Sequence, residues 1–131
     1  MSTNTVQRVD PPELGPPVPS YSQANIVNGF VFLAGQAALD ENDEIVGEGD
    51  TYRQTQYALE RAKRLLEEVG SDLEHVVSAQ VFITPEAQFA EYNRAWLKGF
   101  GDIRPGRATM ISGLVVPGCL VEIILTAALT G

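Results

Sequence analysis

The chain has 131 residues, with 17 acidic and 9 basic side chains and a formal charge of -8. That length accommodates one compact domain with a core of its own, and an apolar fraction of 44% is too high for a disordered chain. So acidic a balance argues against nucleic acid as the main partner, because affinity for phosphates rests on Lys and Arg. No apolar run approaches the roughly 18 residues that cross a bilayer, so no membrane partner is expected. The first residues lack the basic-then-apolar pattern of a secretory leader. The single cysteine, Cys119, has no partner for an internal disulfide, and one Cys with one His (His75) cannot make a structural zinc site. A cytoplasmic domain without metal or other cofactor is the expectation.

No repeat or change of composition divides the sequence, so residues 1–131 read as a single domain. Five prolines between Pro11 and Pro19 make residues 1–19 an extended lead-in. Residues 25–27 and 30–34 are apolar runs split by Asn28-Gly29, the strongest two-residue hairpin signal. Residues 40–50 hold six of the seventeen acids and read as a solvated loop, with a hairpin around Glu44-Ile45-Val46. A closing Glu at EF-hand spacing is absent.

A helix follows. Thr51 with Gln54 three residues on has the capping-box form. Ala58, Leu59, Ala62, Leu65, Leu66 and Val69 recur at helical spacing, and Gly70 is a stop. His75 heads an alternating strand over 75–83, with Val77, Ala79, Val81 and Ile83 on one face. Thr84-Pro85 predicts the start of a second helix, whose stripe of Phe89, Tyr92, Trp96 and Phe100 reads as core. Residues 107–116 and 120–129 read as strands of a last hairpin turning at Pro117-Gly118. Hairpin, helix, strand, helix, hairpin is an α+β order, with about six strands in a single sheet and both helices available to one face. Phe30-Val31-Phe32-Leu33, Val81-Phe82-Ile83 and Ile123-Ile124-Leu125 are apolar at consecutive positions, which buries both sheet faces. Two helices cover only one of them. A homo-oligomer is the simplest cover for the other.

Glu122 breaks the apolar strand Leu120-Val121-Glu122-Ile123-Ile124-Leu125. Such a carboxylate lies either at a wet face or in a cleft with a coupled pKa. Arg107, on the strand expected to be its neighbour, is either a structural ion-pair partner or a guanidinium fork that lines one pocket with Glu122 and receives a carboxylate. His75 has no partners in sequence that make it a catalytic base, and Cys119, without a basic neighbour, reads as a small buried residue. Glycine-rich phosphate loops are missing.

Taken in order, several segments resemble the RidA family, also called YjgF/YER057c/UK114. They are Pro19-Ser20-Tyr21-Ser22-Gln23-Ala24, Val31-Phe32-Leu33-Ala34-Gly35-Gln36, Val81-Phe82-Ile83-Thr84, Phe89-Ala90-Glu91-Tyr92-Asn93, Arg104-Pro105-Gly106-Arg107 and Val121-Glu122-Ile123. The resemblance runs from about Pro19 to Ala128. It implies a chorismate-mutase-like α+β fold, a homotrimer with ligand clefts between subunits, and hydrolysis of reactive enamines and imines to 2-oxo acids with release of ammonia. It also implies that Arg107 binds the carboxylate of a small-molecule substrate and that Glu122 positions the attacking water. Tyr21, Asn93, Gly35 and Thr109 fall on pocket positions. The sequence departs from the best-studied pattern at Ala34, where Ser is frequent, at Thr109, where Cys is frequent, and at Ile124, where a second Glu is frequent. Those departures leave open a non-catalytic module that holds a small carboxylate, and a pathway-specific deaminase of aminoacrylate-like compounds.

Overall fold

The computed structural model describes residues 5–131. Part of the proline-rich lead-in is more ordered than expected. Gln7–Val9 forms β1, and Pro12–Leu14 a single 3-10 turn; residues 1–4 lie outside the described residues. The first hairpin is as expected. Ala24–Val27 (β2) and Phe30–Leu33 (β3) pair antiparallel, and Asn28 and Gly29 both take the positive φ, 54° and 82°, that a tight two-residue turn needs. Gln36–Ala37 forms the short β4, and the acidic loop folds back through a Leu39–Ile45 bridge.

The first helix, α1, is Thr51–Glu68, but its N-cap is Asp50, whose carboxylate accepts the Arg53 N–H at 3.0 Å. Thr51 cannot serve, because it is turned inward, where its hydroxyl accepts the Gln88 N–H at 3.0 Å. The helix ends at Gly70, which takes φ +91°. Leu73–His75 is a 3-10 turn, not the head of a strand; β5 is Val76–Ile83. A bulge between Val76 and Ser78 shifts the alternation, so Val76, Ala79, Val81 and Ile83 face the core and Val77 is exposed. The second helix, α2, is Phe89–Phe100, later than Thr84-Pro85 implied. Those two residues open a turn closed by the Ala87 N–H on the Thr84 carbonyl, and the Thr84 hydroxyl caps nothing. Tyr92, Trp96 and Phe100 are core as expected, whereas Phe89 is half exposed.

The largest difference concerns the last two strands, Gly106–Ile111 (β6) and Val121–Ala128 (β7), which are not a hairpin. The sheet order is β1-β2-β3-β7-β5-β6, with β4 also on β7. β6 pairs parallel with β5 at the sheet edge, a connection that α2 makes, and β7 inserts between β3 and β5. Pro117-Gly118 does turn the chain, but in a connection that leads to a different place in the sheet. Both helices cover one face. There Ala58, Leu59, Ala62, Leu65 and Leu66 of α1 and the stripe of α2 meet Val31, Leu33, Val81, Ile83, Val121, Ile123 and Leu125. The opposite face carries Phe30 and Phe32, 40% and 45% exposed in the single chain.

Candidate active site

On the open face, the chain breaks out of β3 at Ala34-Gly35 before re-entering as β4. Glu122 of β7 stands opposite Ala37 of β4 and Phe82 of β5. Its carboxyl lies directly against the Gly35 backbone: a Cβ at Gly35 would fall 2.8 Å from Glu122 Cδ and 2.9 Å from Oε2. Only glycine leaves that space. A pocket of about 470 Å³ opens here, lined by Tyr21, Gly35, Cys119 and Glu122 among others. Glu122 has no hydrogen bond or ion pair among the described residues, so it is free to engage something in the pocket. Behind it Gln36 is almost fully buried. The Gln36 Nε2 donates to Gln23 Oε1 at 2.9 Å and to the Ala34 carbonyl at 3.1 Å, and its Oε1 accepts from Arg61 Nε at 3.4 Å. Arg61 also donates to the Leu39 carbonyl at 3.2 Å. Cys119 is a buried thiol. Burial pushes its pKa up, and the negative charge of Glu122 adds to that, so it is held as the neutral thiol near pH 7.

Arg107 is not in this pocket. Its register opposite Ala79 puts it on the helix-covered face, whereas Glu122, opposite Phe82, is on the other. The two sites are two strands and three residues apart, roughly 14 Å at strand spacings, and separated by the sheet itself. Within one chain they therefore do not line one cleft, as the expected hairpin had allowed. Arg107 instead lies over the rings of Tyr92 and Trp96, 5.1 and 5.2 Å from their centroids. Tyr92 donates to or accepts from Thr109 Oγ1 at 2.8 Å, which fixes the ring. Burial raises the Tyr92 pKa, against smaller lowering effects of the Thr109 hydrogen bond and the Arg107 charge, so the phenol stays neutral. The Arg107 guanidinium is exposed and makes no hydrogen bond or ion pair among the described residues. Stacked on one side and unpartnered on the other, it presents its N–H fork outward.

The residues of interest therefore form two half-sites. Tyr21, Gly35 and Glu122 share the pocket; Arg107 and Thr109 share the aromatic platform, with Asn93 next to Tyr92 on α2 and partly buried. Tyr92 and Trp96 were readable as core, but no spacing in the sequence places a guanidinium over them. Gln36 and Arg61 gave no signal beyond a polar residue after Gly35 and one more charge on a helix. Groups of three or more potential metal ligands are absent among the described residues. Among the described residues no helix is long and apolar enough to cross a membrane.

Residues 13–129 match the family model described as Endoribonuclease L-PSP. The 3-aminoacrylate deaminase RutC of Acinetobacter baylyi is 35% identical over 117 residues, which cover 89% of this chain and 90% of that protein. Among solved structures, yeast Mmf1 superposes with a TM-score of 0.87 at 28% identity, over 96% of this chain and 100% of its own. A member of the YjgF protein family from Neisseria meningitidis gives a TM-score of 0.82 at 27% identity, over 99% of both chains.

Proposed function

Because the chain belongs to the Endoribonuclease L-PSP family, that of the RidA and YjgF proteins, we propose that it hydrolyses reactive enamines and imines to 2-oxo acids with release of ammonia. The observation that carries this reading is the pair of incomplete half-sites: a carboxylate in a pocket on one sheet face and a guanidinium on the other, neither with a partner among the described residues. Both act on one small substrate only if they come from two copies. A homotrimer, in which the open face with Phe30 and Phe32 is buried and Arg107 of one copy meets the Glu122 pocket of the next, supplies that arrangement.

In this site Arg107 holds the substrate carboxylate by paired N–H donors. Its aromatic platform limits the positions the fork can take, so the imine carbon is presented at a fixed distance. Tyr21, Gly35, Asn93 and Thr109 shape the space around the substrate. Glu122 accepts a proton from a water that attacks the imine carbon. A C–O bond forms, and the electron pair of the C=N bond goes to nitrogen. Glu122 returns that proton to the nitrogen, then takes the hydroxyl proton of the carbinolamine and passes it to the same nitrogen, so that the C–N bond breaks, ammonia leaves and the carbonyl remains. Enamines enter after protonation at carbon. No redox step is involved, and the imine carbon is electrophilic enough to need no cofactor. Such a small carboxylate is held by local contacts, and a free thiol at Cys119 suits a cytoplasmic location.

The similarity to an aminoacrylate deaminase favours, as a finer reading, a pathway-specific enzyme for aminoacrylate-like compounds. RNA cleavage is poorly supported: Asp40, Asp43 and Glu122 all line the pocket, and His75 is tied to Asp72 at 2.6 Å away from it.

Mixing tests the proposal. Arg107→Ala and Glu122→Gln chains are each expected to be inactive, monitored by 2-oxo acid formation from an imine generated in situ by an amino-acid dehydratase. Co-refolded in equal amounts, they recover about one quarter of wild-type activity, the fraction of two-chain sites that draw each intact residue from the right neighbour. No recovery in verified mixed oligomers overturns the two-copy site. Tight carboxylate binding without turnover in the wild type favours the non-catalytic module.

A further inference from the structure

Gln54 stands in the first turn of α1, where a capping box would turn it toward its own helix end. The structure turns it the other way. It is fully buried, and its three hydrogen bonds all go to backbone outside α1. Nε2 donates to the Gly47 carbonyl at 3.1 Å and to the Gly118 carbonyl at 3.0 Å, and Oε1 accepts the Leu120 N–H at 2.8 Å. One side chain thus ties the acidic loop and the connection between β6 and β7 to the helix layer. A second contact joins the same two segments. Gly118 takes φ +90°, and a Cβ there would lie 2.7 Å from Ile45 Cδ1, so the tip of the acidic loop packs on the backbone of the connection.

Both segments are walls of the Glu122 pocket. Asp40 and Asp43 come from the first; Leu114, Val115, Val116 and Cys119 come from the second. The connection has few other restraints. The Ser112 N–H reaches the Ile83 carbonyl at its start and the Leu120 carbonyl accepts the Thr84 N–H at 3.0 Å at its end, but between them, apart from the bond to Gln54, the hydrogen bonds are local, such as Cys119 N–H to the Val116 carbonyl at 3.1 Å. Val115 is 98% exposed. The Gln54 amide brackets Cys119, with one hydrogen bond to the residue before it and one to the residue after it. Leu120 then leads directly into β7, and Glu122 follows two residues later.

We propose that Gln54 is the positioning residue of the Glu122 pocket: its side-chain amide sets where the wall bearing Cys119 stands relative to Glu122. It touches no reacting atom and acts through the two loops. Its part in turnover rests on the deaminase reading above; its part in placing the wall does not. A buried amide with every bond to a loop backbone is suited to this, because losing it breaks three hydrogen bonds at once and leaves the Gly118 carbonyl and the Leu120 N–H without partners, while the Gly47 carbonyl keeps the Asp50 N–H at 2.9 Å.

The single cysteine makes the test independent of activity. Gln54→Met keeps the length of the side chain and removes all three hydrogen bonds. Alkylation of Cys119 by iodoacetamide is then expected to accelerate by about tenfold or more, the factor that one lost buried hydrogen bond carries. Leu65→Ala is the control, since it loosens the core about three turns further along the same helix. Equal acceleration in the two variants at matched global stability, or none in Gln54→Met, overturns the proposal. Gln54→Glu keeps the acceptor for Leu120 and loses both donors, so an intermediate rate is expected. If Gln54→Met does not fold, Gln54→Glu and Ile45→Ala are compared with the same control, and an unchanged Cys119 rate in both overturns the proposal. In the imine assay, kcat is expected to fall more than KM rises. Accelerated labelling in Gln54→Met with no imine turnover by the wild type refutes the deaminase reading and leaves the positioning role standing. Turnover by the wild type with labelling unchanged refutes the positioning role alone.

Discussion

Gly35→Ala probes the Glu122 carboxylate with a single methyl group. The added Cβ would lie 2.8 Å from Glu122 Cδ, 2.9 Å from Oε2 and 3.0 Å from Cγ. Carbon atoms in contact normally sit about 3.5–4.0 Å apart, so the carboxyl must withdraw by roughly 0.7–1 Å. Gly35 does not use a positive φ, so the backbone itself accepts alanine without strain. Alanine also restricts the unfolded chain, which stabilises by about 0.4–1 kcal/mol, against about 1–3 kcal/mol for overpacking. Glu122 is only half buried and can rotate outward, so the net destabilisation is expected to stay below about 1.5 kcal/mol. Catalysis is more sensitive than stability here, because a displacement near 1 Å costs about 100-fold when the group must hold an attacking water. In the dehydratase-coupled assay kcat is therefore expected to fall by about 100-fold with a much smaller change in KM, since the carboxylate contact is made elsewhere. Thermal unfolding run in parallel separates the two effects. A Gly35→Ala protein with the wild-type unfolding temperature and kcat within about twofold of wild type would refute the role given to Glu122.

Two other outcomes follow from the site. Tyr92→Phe removes the hydrogen bond to Thr109 but keeps the ring under Arg107; it is expected to cost about 0.5–1.5 kcal/mol in denaturant unfolding while KM for the imine stays close to wild type, and a large rise in KM would show that the Thr109 link, not the ring, orients Arg107. Cys119 has a raised pKa, first from burial and then from Glu122, so its alkylation should climb with pH beyond the ordinary thiol range; Glu122→Gln removes the second cause, and the rate–pH profile is expected to move to lower pH, a shift that fails to occur if Glu122 is turned away from the thiol.

Much of the fold was legible. Asn28-Gly29 marked a hairpin because a tight turn of that hand needs positive φ at both positions, a requirement local to two residues. The apolar spacing of α1 located the helix to within a residue, and the competition between Asp50 and Thr51 for the cap depended on which side chain was drawn into the interior. Pro117-Gly118 misled for a related reason. A turn signal reports that the chain reverses, not which strand it reverses onto, and here the neighbours of β7 were chosen by burial against β3 and β5. Glu122 was visible as a carboxylate in an apolar strand, and Arg107 as a cation heading another. Their separation onto opposite faces was not visible, because it depends on β6 pairing parallel with β5 and on the register of both strands. The bulge at Val76 was equally hidden, since an alternation that slips by one residue looks the same in sequence as one that does not.

The position of β7 has a consequence for how the protein is made. Among the described residues β3 and β5 are joined only through β7, and β4 pairs with nothing else. Until that strand is added, the β1-β2-β3 ribbon and the β5-α2-β6 unit share no strand pairing, and each keeps an open edge where β7 will lie. Pairing so distant in sequence is slow to form and leaves such edges available to other chains meanwhile. During synthesis, Glu122 follows every other residue named in the two half-sites out of the ribosome, on the strand that closes the sheet. A nascent chain halted before Val121 therefore carries the arginine and its platform, but neither a continuous sheet nor the carboxylate.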